Sequence, residues 1–419
     1  MDLFKKIAQN MGPLGQYAEA SDGYFAFPLL EGPISNRMYF QGQEMIIWSL
    51  NNYLDLANHP EVRLADTKAT EEYGLAYPMG ARMMSGDTKY HIQLESELAK
   101  FVQKEAGYLL NYGYQGIQSI IDALLDRRDV VVYDNESHAS IVDGVRLHLG
   151  KRFAFNHNDM ASLEKNLERA VKLVNVSGGS ILVISEGVFG MRGDQGKLKE
   201  IIALKNKFPF RLLVDDAHGF GTLGKKGIGA GEYQGVQEGI DLYFSTFAKS
   251  MASIGAFIAS DKKVIQYLKY NMRSQIYAKS LPMPIVIGNL KRLELLRNSP
   301  DLKSKLWENV NILQQGLRDR GFEIGNTNSC VTPIYLQGSV EEATQIVMDL
   351  RLNYKVFCSL VIYPVIPKGM IILRIIPTAA HTMEDIEISI KAWTEVRRKL
   401  INGEYKSEFA KQSKVLNIH

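Results

Sequence analysis

Cysteine is scarce in this chain of 419 residues, which contains only Cys330 and Cys358. Two cysteines without metal-ligand spacing argue against a secreted protein held together by disulfides. An excess of one charge is also missing, because the net charge is only +3 and no basic block stands out. Nucleic-acid binding therefore has no electrostatic support.

Long apolar runs are missing as well. No uninterrupted apolar stretch is long enough to span a bilayer, and the first residues, MDLFKKIAQNMG, lack the apolar core of a signal peptide. We therefore expect a cytoplasmic protein without a transmembrane segment. The remaining composition, with 46% hydrophobic and 23% charged residues, is typical of a soluble chain with one large domain and a smaller one.

Strand-like runs alternate with helical patterns through the middle of the chain. Apolar residues recur at helical spacing within KYHIQLESELAKFVQ, at Ile92, Leu94, Leu98, Phe101 and Val102. Four short apolar runs follow, in DVVVYDN, SILVISEG, RLLVDDAH and DLYFSTF, with amphipathic segments among them. Strands of this kind set between helices predict an α/β fold whose mostly parallel sheet is covered on both faces.

The two ends of the chain have a different pattern. Residues 1–45 mix glycine, proline and aromatic residues, which indicates an arm that packs on another surface. Residues 46–285 contain the sheet of the large domain. Residues 286–419 combine long helical patterns with the strand-like runs CVTPIYL and GMIILRIIP, and they are predicted to form a smaller α+β domain.

Polar residues follow each of the four apolar runs. In sheets of this type, ligands bind outside the carboxyl ends of the strands. The residues at these ends are Asp134, Asn135, His138, Glu186, Asp215, Asp216, His218, Thr246 and Lys249. This edge of the sheet is therefore the predicted position of an active site.

Lys249 has the most reactive side chain of that set. Burial penalises the charged form of lysine, so a buried amine has a lowered pKa and can act as a nucleophile or base. By itself, a lysine at a strand end more often reaches solvent. Asp215 and His218 stand on one rim with the small Ala217 between them. A carboxylate that keeps a pyridine nitrogen protonated is part of pyridoxal phosphate catalysis, whereas a structural Asp–His hydrogen bond would explain the pair taken alone.

Other candidates also have two interpretations each. His138 could stack on a planar cofactor or be a histidine satisfied by backbone groups. Gly113 and Tyr114 could begin a predicted helix, where free backbone amides bind phosphate. Alternatively, Gly113 could be a simple turn glycine. Arg374 suits a carboxylate or a salt bridge between domains. The G-x-G-x-x-G match at residues 219–224 is not followed by an amphipathic helix, which favours a glycine-rich loop over a dinucleotide site.

An ordered set of motifs along nearly the whole chain resembles the α-oxoamine synthases, which are fold-type-I pyridoxal-phosphate enzymes. The motifs are NNYLDLANHP, GARMMSG, HIQLESELAKF, NYGYQG, DNESHASIVDG, FNHND, EGVFGMRGD, VDDAHGFGTLGKKGIG, STFAKS, IYAKSLPMP and LRIIPTAAHT. The resemblance implies the fold of that family, a pyridoxal 5'-phosphate cofactor and no metal.

The resemblance also implies roles for matching residues. Lys249 would carry the cofactor as a Schiff base, Asp215 would bond its ring nitrogen and His218 its phenolic oxygen. His138 would stack over the ring, and Arg374 would bind the carboxylate of the substrate.

The remaining roles concern the phosphate and the substrate. Gly113 and Tyr114, through their amides, and Thr246 would hold the phosphate, and Asn52 would lie near the substrate. The family's members are homodimers with the active site at the subunit interface. Ser280, in SLPMP, would therefore serve the cofactor of the neighbouring subunit.

Five sites depart from the family's usual residues. Ala248, Ala81 and Gly190 replace serines, and Asp55 replaces the glycine of NYLGL. The threonine expected before SLP is represented by Ala278-Lys279. The departures imply a roomier site with fewer hydroxyls and one additional cation.

The implied reaction is a decarboxylative condensation. A long-chain acyl thioester, on coenzyme A or acyl carrier protein, would join a small polar amino acid to give a 3-oxo amino base for sphingolipid or sulfonolipid synthesis. The context TF-x-KS resembles serine palmitoyltransferases and favours serine, while the lost hydroxyls and Lys279 leave room for cysteate.

Three alternatives stay open, although His138 and His218 favour condensation. The first is an α-oxoamine synthase that uses glycine or alanine, of the 2-amino-3-ketobutyrate or 8-amino-7-oxononanoate type. The second is an aminotransferase on the same fold, and the third is a non-catalytic partner subunit. Peripheral contact with a membrane is also left open.

Overall fold

The computed structural model describes residues 2–15, 23–363, 366 and 368–406. These residues form two compact units. Unit 1 contains the described parts of Met1–Leu50, Glu308–Gly325 and Thr332–His419. Unit 2 contains Asn51–Trp307 and Asn326–Val331. The domain boundaries expected from the sequence stay a prediction.

The helices and strands are as follows in chain order. The helices are α1 (Leu3–Gln9), α2 (Gly12–Gly15), α3 (Pro60–Tyr73), α4 (Lys89–Phe101), α5 (Gly113–Leu124), α6 (Ala139–Leu147), α7 (Met160–Ser177), α8 (Leu198–Ala203), α9 (Ala230–Tyr233), α10 (Lys262–Asn271), α11 (Arg273–Ile276), α12 (Met283–Asn298), α13 (Pro300–Asp319), α14 (Val340–Tyr354) and α15 (Met383–Ile401). The strands are β1 (Leu30–Glu31), β2 (Arg37–Phe40), β3 (Gln43–Ile47), β4 (Ala106–Leu110), β5 (Val130–Asp134), β6 (Lys151–Phe155), β7 (Ile181–Glu186), β8 (Arg211–Asp215), β9 (Leu242–Thr246), β10 (Ala256–Ser260), β11 (Thr332–Gln337), β12 (Val356–Phe357), β13 (Ser359–Val361) and β14 (Met370–Ile375).

A seven-stranded sheet in the order β4-β10-β9-β8-β7-β5-β6 runs through unit 2. The five neighbouring strands β9, β8, β7, β5 and β6 pair in parallel. Strand β10 is antiparallel to both of its neighbours, β9 and β4. The four runs DVVVYDN, SILVISEG, RLLVDDAH and DLYFSTF supply β5, β7, β8 and β9, which confirms the prediction of a mostly parallel sheet.

Both faces of this sheet are buried, as its sequence pattern predicts. In β8, Leu212 and Val214 belong to one apolar cluster, whereas Leu213 between them belongs to another. Side chains alternate across a strand, so the two clusters lie on opposite faces. Every residue of β7 and β9 is buried, which explains why these strands read as continuous apolar runs.

Helix α4 forms where the sequence predicts a helix, with one error in its buried face. The Thr88 side chain caps the first turn by accepting a hydrogen bond from the His91 amide, and Leu94 and Leu98 are fully buried. Ile92, which was expected on the same face, is 55% exposed. Ile92 lies about 200° around the helix from Leu94, so it points away from the core.

Unit 1 contains two smaller sheets. Strands β11, β14 and β13 form an antiparallel sheet, and β1, β2 and β3 form a second sheet that is completed by β12, parallel to β3. The core of unit 1 includes Trp48. The indole nitrogen of Trp48 donates to Ser389 Oγ at 2.8 Å, and the indole ring stacks on His381. In the parts of the chain that the structure describes, no helix is long and apolar enough to cross a membrane.

Candidate active site

Acidic and hydroxyl residues meet at the carboxyl edge of the parallel sheet. Strands β5, β7, β8 and β9 are neighbours and end at Asp134, Glu186, Asp215 and Thr246. All four residues are buried. The structure thus collects the strand-end residues at one edge, as the sequence predicts.

Lys249 stands beside two buried carboxyl groups. It follows β9 by three residues and is half-buried. Burial raises the pKa of Asp215, and the positive charge of Lys249 opposes this rise. Burial raises the pKa of Glu186 well above its usual range, and the neighbouring Asp215 raises it further. We infer that Glu186 holds the proton of this pair, which leaves the negative charge on Asp215.

His138 caps the start of helix α6 and contacts the same cluster. Its backbone amide donates to Glu186 Oε1. Its ring Nδ1 accepts from the Ser140 amide at 3.3 Å and lies 2.7 Å from Ser140 Oγ. The residue is exposed, and its ring centroid lies 6.1 Å from that of Tyr114. His138 is therefore oriented by short local contacts while a planar ligand can reach it.

His218 is buried and contacts a residue that the sequence motifs did not single out. The hydroxyl oxygen of Tyr53 lies 2.8 Å from His218 Nδ1, and Tyr53 is fully buried. The Thr222 hydroxyl donates to the His218 carbonyl at 2.6 Å. The motif NNYLDL contains Tyr53, but neither its spacing nor its composition links it to VDDAH.

Gly113 and Thr246 come together at the start of α5. A β-carbon built on Gly113 would lie 3.0 Å from Thr246 Oγ1, so any larger residue would crowd the threonine side chain. Thr246 Oγ1 donates to the Gly255 carbonyl at 3.0 Å. Tyr114 is the second residue of α5, and its hydroxyl donates to Asp143. The predicted phosphate residues thus combine a helix start with a threonine hydroxyl.

Ser280 is buried next to the loop that contains the GARMMSG motif. Its amide donates to the Gly80 carbonyl at 3.0 Å. Among the described residues, the Ser280 hydroxyl has no hydrogen-bond partner. The preceding residue, Lys279, is exposed, and its carbonyl accepts from Asn111 at 2.7 Å, two residues before Gly113.

Asn52 is buried within its own loop. Its amide nitrogen donates to Asp55 at 3.0 Å, and its oxygen accepts from the Ala57 amide at 3.2 Å. Asp55 has φ of 56°, in the left-handed region that favours glycine. This conformation suits the glycine that the family resemblance leads us to expect at position 55. The side chain of Asp55 is held by its contact with Asn52.

Arg374 lies in β14 of unit 1, where it pairs in register with Pro333 and Ser359. The residue is half-buried. Leu373 and Ile375 on either side belong to the core cluster. Strand alternation directs Arg374 to the opposite face.

A histidine between two carboxylates was not predicted from the sequence. His157 Nδ1 lies 3.1 Å from Asp134, and Nε2 lies 2.8 Å from Asp194. These carboxylates outweigh burial and raise the pKa of His157 to about 9. The ring also packs against the edge of Phe189, at 4.4 Å between centroids. The motifs FNHND and EGVFGMRGD contain His157 and Asp194, but no signal within them shows that they meet.

Arg82, in GARMMSG, has a structural role. Its guanidinium is buried, binds Glu95 and Asp87, and lies 4.8 Å from the centre of the Tyr108 ring. In the described part of the chain, no group of three or more histidines, cysteines, aspartates or glutamates could hold a metal ion.

Comparison with known proteins decides the family. The sequence model for aminotransferase class I and II matches residues 43–392. The chain is 63% identical to a cysteate-C-fatty acyltransferase of Capnocytophaga ochracea, over 99% of this chain and 98% of that protein. It is 36% identical to a serine palmitoyltransferase of Bacteroides thetaiotaomicron, over 90% of this chain and 94% of the other. The chain belongs to the α-oxoamine synthases of the aminotransferase class I and II family.

Solved α-oxoamine synthase structures share the fold. A serine palmitoyltransferase from S. paucimobilis, with a PLP–myriocin aldimine bound, matches with a TM-score of 0.87 and 27% identity, over 95% of this chain and 99% of that one. The fold expected from the sequence, a fold-type-I transferase with a smaller sheet domain at the C-terminus, is confirmed.

Proposed function

We propose that this α-oxoamine synthase condenses a long-chain acyl thioester with cysteate, with loss of carbon dioxide, to give a 3-oxo amino sulfonate for sulfonolipid synthesis. The observation that carries the proposal is the 63% identity to a cysteate-C-fatty acyltransferase over 99% of the chain. Serine is the second candidate, because serine palmitoyltransferases match at 36% identity.

Pyridoxal 5'-phosphate fits the residues of unit 2. Asp215 provides a buried carboxylate, Lys249 an amine beside it, and Gly113 a helix start next to a threonine hydroxyl. The hydroxyl of Ser280, buried without a partner among the described residues, suits a further phosphate contact. When bound, this cofactor supplies a protonated ring that stabilises negative charge on the α-carbon of the amino acid.

Asp215 and Lys249 are proposed to govern the protons. Asp215 keeps its negative charge because Glu186 takes the proton of the pair, and it thereby holds a proton on the ring nitrogen of the cofactor. Lys249 Nζ is the amine that would hold the cofactor covalently, and it would be free once an amino acid is bound. The released amine then accepts the α-proton, which leaves the electron pair on carbon for attack on the thioester carbonyl.

The remaining residues are proposed to hold the reacting groups. Attack of the α-carbon forms a carbon–carbon bond and breaks the carbon–sulfur bond, so the thiol leaves. Loss of carbon dioxide follows, and a proton replaces it at the α-carbon. His138 is exposed and oriented by Ser140, so it would stack over the ring of the cofactor. Arg374 would bind the carboxylate that is lost. Asn52 is proposed to lie near the amino acid.

Charge favours cysteate over the smaller amino acids. Its sulfonate carries a negative charge that serine, glycine and alanine lack, and Lys279 provides an exposed cation next to Ser280. The hydroxyls that the family usually has at positions 81, 190 and 248 are absent. A site with fewer hydroxyls and an additional cation suits a larger anionic side chain.

Three further points belong to the proposal and await their own tests. The enzyme works as a homodimer in which Ser280 serves the partner's cofactor, it acts in the cytoplasm, and it takes its acyl group from coenzyme A or from acyl carrier protein. Analytical ultracentrifugation tests the dimer, and parallel assays with the two palmitoyl thioesters test the donor.

The experiment for the whole proposal is a condensation assay. Purified enzyme is incubated with the cofactor, a palmitoyl thioester and carboxyl-labelled cysteate, and both labelled carbon dioxide and the mass of the lipid product are measured. We expect release of carbon dioxide in step with a long-chain 3-oxo amino sulfonate. Conversion of the amino acid to its keto acid without carbon dioxide would instead show an aminotransferase.

A further inference from the structure

The imidazole of His218 is constrained on two sides by residues to which no role has been assigned. Tyr53 lies at Nδ1, and Gly190 lies at Nε2. The two residues come from different loops, before α3 and after β7, so the two contacts are independent observations about one ring.

Tyr53 holds the ring through a short, fully enclosed contact. Its hydroxyl oxygen lies 2.8 Å from Nδ1, and its own ring meets the imidazole edge to face at a centroid distance of 6.1 Å. The loop that carries it is fixed on its other side by Asn52 and Asp55. A hydroxyl that donates to Nδ1 requires the proton of a neutral imidazole to sit on Nε2.

Gly190 leaves the space that Nε2 occupies. A β-carbon built at position 190 would lie 2.3 Å from Nε2 and 2.9 Å from Cδ2, closer than real β-carbons approach other atoms. Backbone hydrogen bonds hold this loop in place, from Phe189 to the Asp194 carbonyl at 2.9 Å and from Gly193 to the Phe189 carbonyl at 2.8 Å. A serine at position 190 and His218 in its present place therefore exclude each other.

We propose that Tyr53 and Gly190 are positioning residues that together fix the place and the proton of His218, Tyr53 by donating to Nδ1 and Gly190 by admitting Nε2. This rests on the proposed function for the role of His218 toward the phenolic oxygen of the cofactor. It makes the Nε2 proton of His218 the hydrogen-bond donor toward that oxygen.

The first test needs neither cofactor nor substrate. Nitrogen NMR of histidine-labelled apoprotein reports which ring nitrogen carries the proton, and the His218 signal is assigned by its loss in His218→Asn. We expect the Nε2-protonated form in the native protein and a mixture of tautomers in Tyr53→Phe. An Nδ1-protonated ring in the native protein, or an unchanged signal in Tyr53→Phe, would overturn the role of Tyr53.

The second test uses the thermal midpoint of the apoprotein in two backgrounds. Gly190→Ala is expected to lower the midpoint by about 3 °C or more in the native background, and much less when His218→Ala or His218→Asn has removed the ring that the β-carbon meets. An equal loss in the native and substituted backgrounds would show that position 190 acts independently of His218. Two His218 variants are used so that the comparison can still be made if one of them does not fold.

The third test connects the residues to turnover. Tyr53→Phe is expected to lower kcat about 10-fold with little change in KM and to shift the pH dependence of the bound cofactor's absorbance. Tyr405→Phe is the matched control, because it also removes a buried hydroxyl, bonded to Asp349 in unit 1. An equal loss of kcat in both variants would contradict a positioning role for Tyr53.

Lack of condensation by the native enzyme would contradict only the proposed function. The NMR and thermal measurements do not depend on turnover, so they would still test the roles of Tyr53 and Gly190.

Discussion

The histidine between Asp134 and Asp194 gives the protein a stability that depends on pH. His157 has a pKa of about 9 in the folded protein, against about 6.5 in an unfolded chain. The ring is therefore a cation at neutral pH, bonded to both carboxylates. We predict that His157→Gln, which keeps hydrogen-bonding atoms and removes the charge, destabilises the protein at neutral pH and has a smaller effect in alkali.

The sign and size follow from linkage. Because the folded pKa is raised, the stabilisation is fully present below pH 6.5 and is lost as pH rises through about 9. A rise from 6.5 to 9 corresponds to about 3 kcal/mol, which we reduce to about 1–2 kcal/mol for solvent screening. The difference in free energy of unfolding between the native protein and His157→Gln should shrink by this amount between pH 6.5 and 9.5.

Urea unfolding of the full chain, followed by tryptophan fluorescence at several pH values, measures this difference. His91→Gln is the matched control, because burial lowers the pKa of His91 to about 4 and the ring is uncharged across this range. Its cost should stay constant between pH 7.5 and 9.5. A cost of His157→Gln that is equally constant with pH would refute the account of His157 as a buried cation.

Three further substitutions test other parts of the site. Lys249→Ala should abolish covalent retention of the cofactor after borohydride reduction, measured by mass spectrometry, and should abolish turnover. Lys263→Ala, at an exposed lysine, is the control and should preserve both. Retained turnover in Lys249→Ala would contradict the role of Lys249. Ser280→Ala should leave the apoprotein as stable or stabilise it by up to about 1 kcal/mol, because an unpaired buried hydroxyl is lost, and should weaken cofactor binding about 10-fold in a fluorescence titration; unchanged affinity would remove Ser280 from the phosphate site. The free energy of unfolding in urea should be about 1 kcal/mol higher for Asp55→Gly than for Asp55→Ala. Both variants lose the contact with Asn52, but only glycine adopts positive φ without steric cost. Equal free energies of unfolding would contradict the role of backbone conformation at position 55.

The sequence predicted the sheet well because its signal is local. Fully buried parallel strands are continuous apolar runs, and in DVVVYDN, SILVISEG, RLLVDDAH and DLYFSTF polar residues mark where each strand ends. Since the carboxyl ends of parallel strands share one edge, Lys249, Asp215 and His138 could be placed together from their positions in the chain. The exposure of Ile92 shows the limit of this approach, because the face of a helix depends on what packs against it.

Contacts between distant loops could not be predicted. Tyr53 and His218 are separated by 165 residues, and no periodicity relates their motifs. The same holds for His157 and Asp194, which meet because β6 and β7 flank β5 in the sheet. Arg374 is less buried than its neighbours because side chains alternate between the two faces of β14. The apolar residues around it in the sequence give no sign of this alternation.

The central claim is that this enzyme condenses cysteate with a long-chain acyl thioester. The most direct measurement is kcat/KM for cysteate, serine, glycine and alanine with palmitoyl thioester, from release of carboxyl-labelled carbon dioxide by the native enzyme. We predict that cysteate exceeds serine by about 10-fold or more, which corresponds to about 1.4 kcal/mol of transition-state binding, and that Lys279→Ala narrows this ratio. A preference for glycine or alanine would contradict the account.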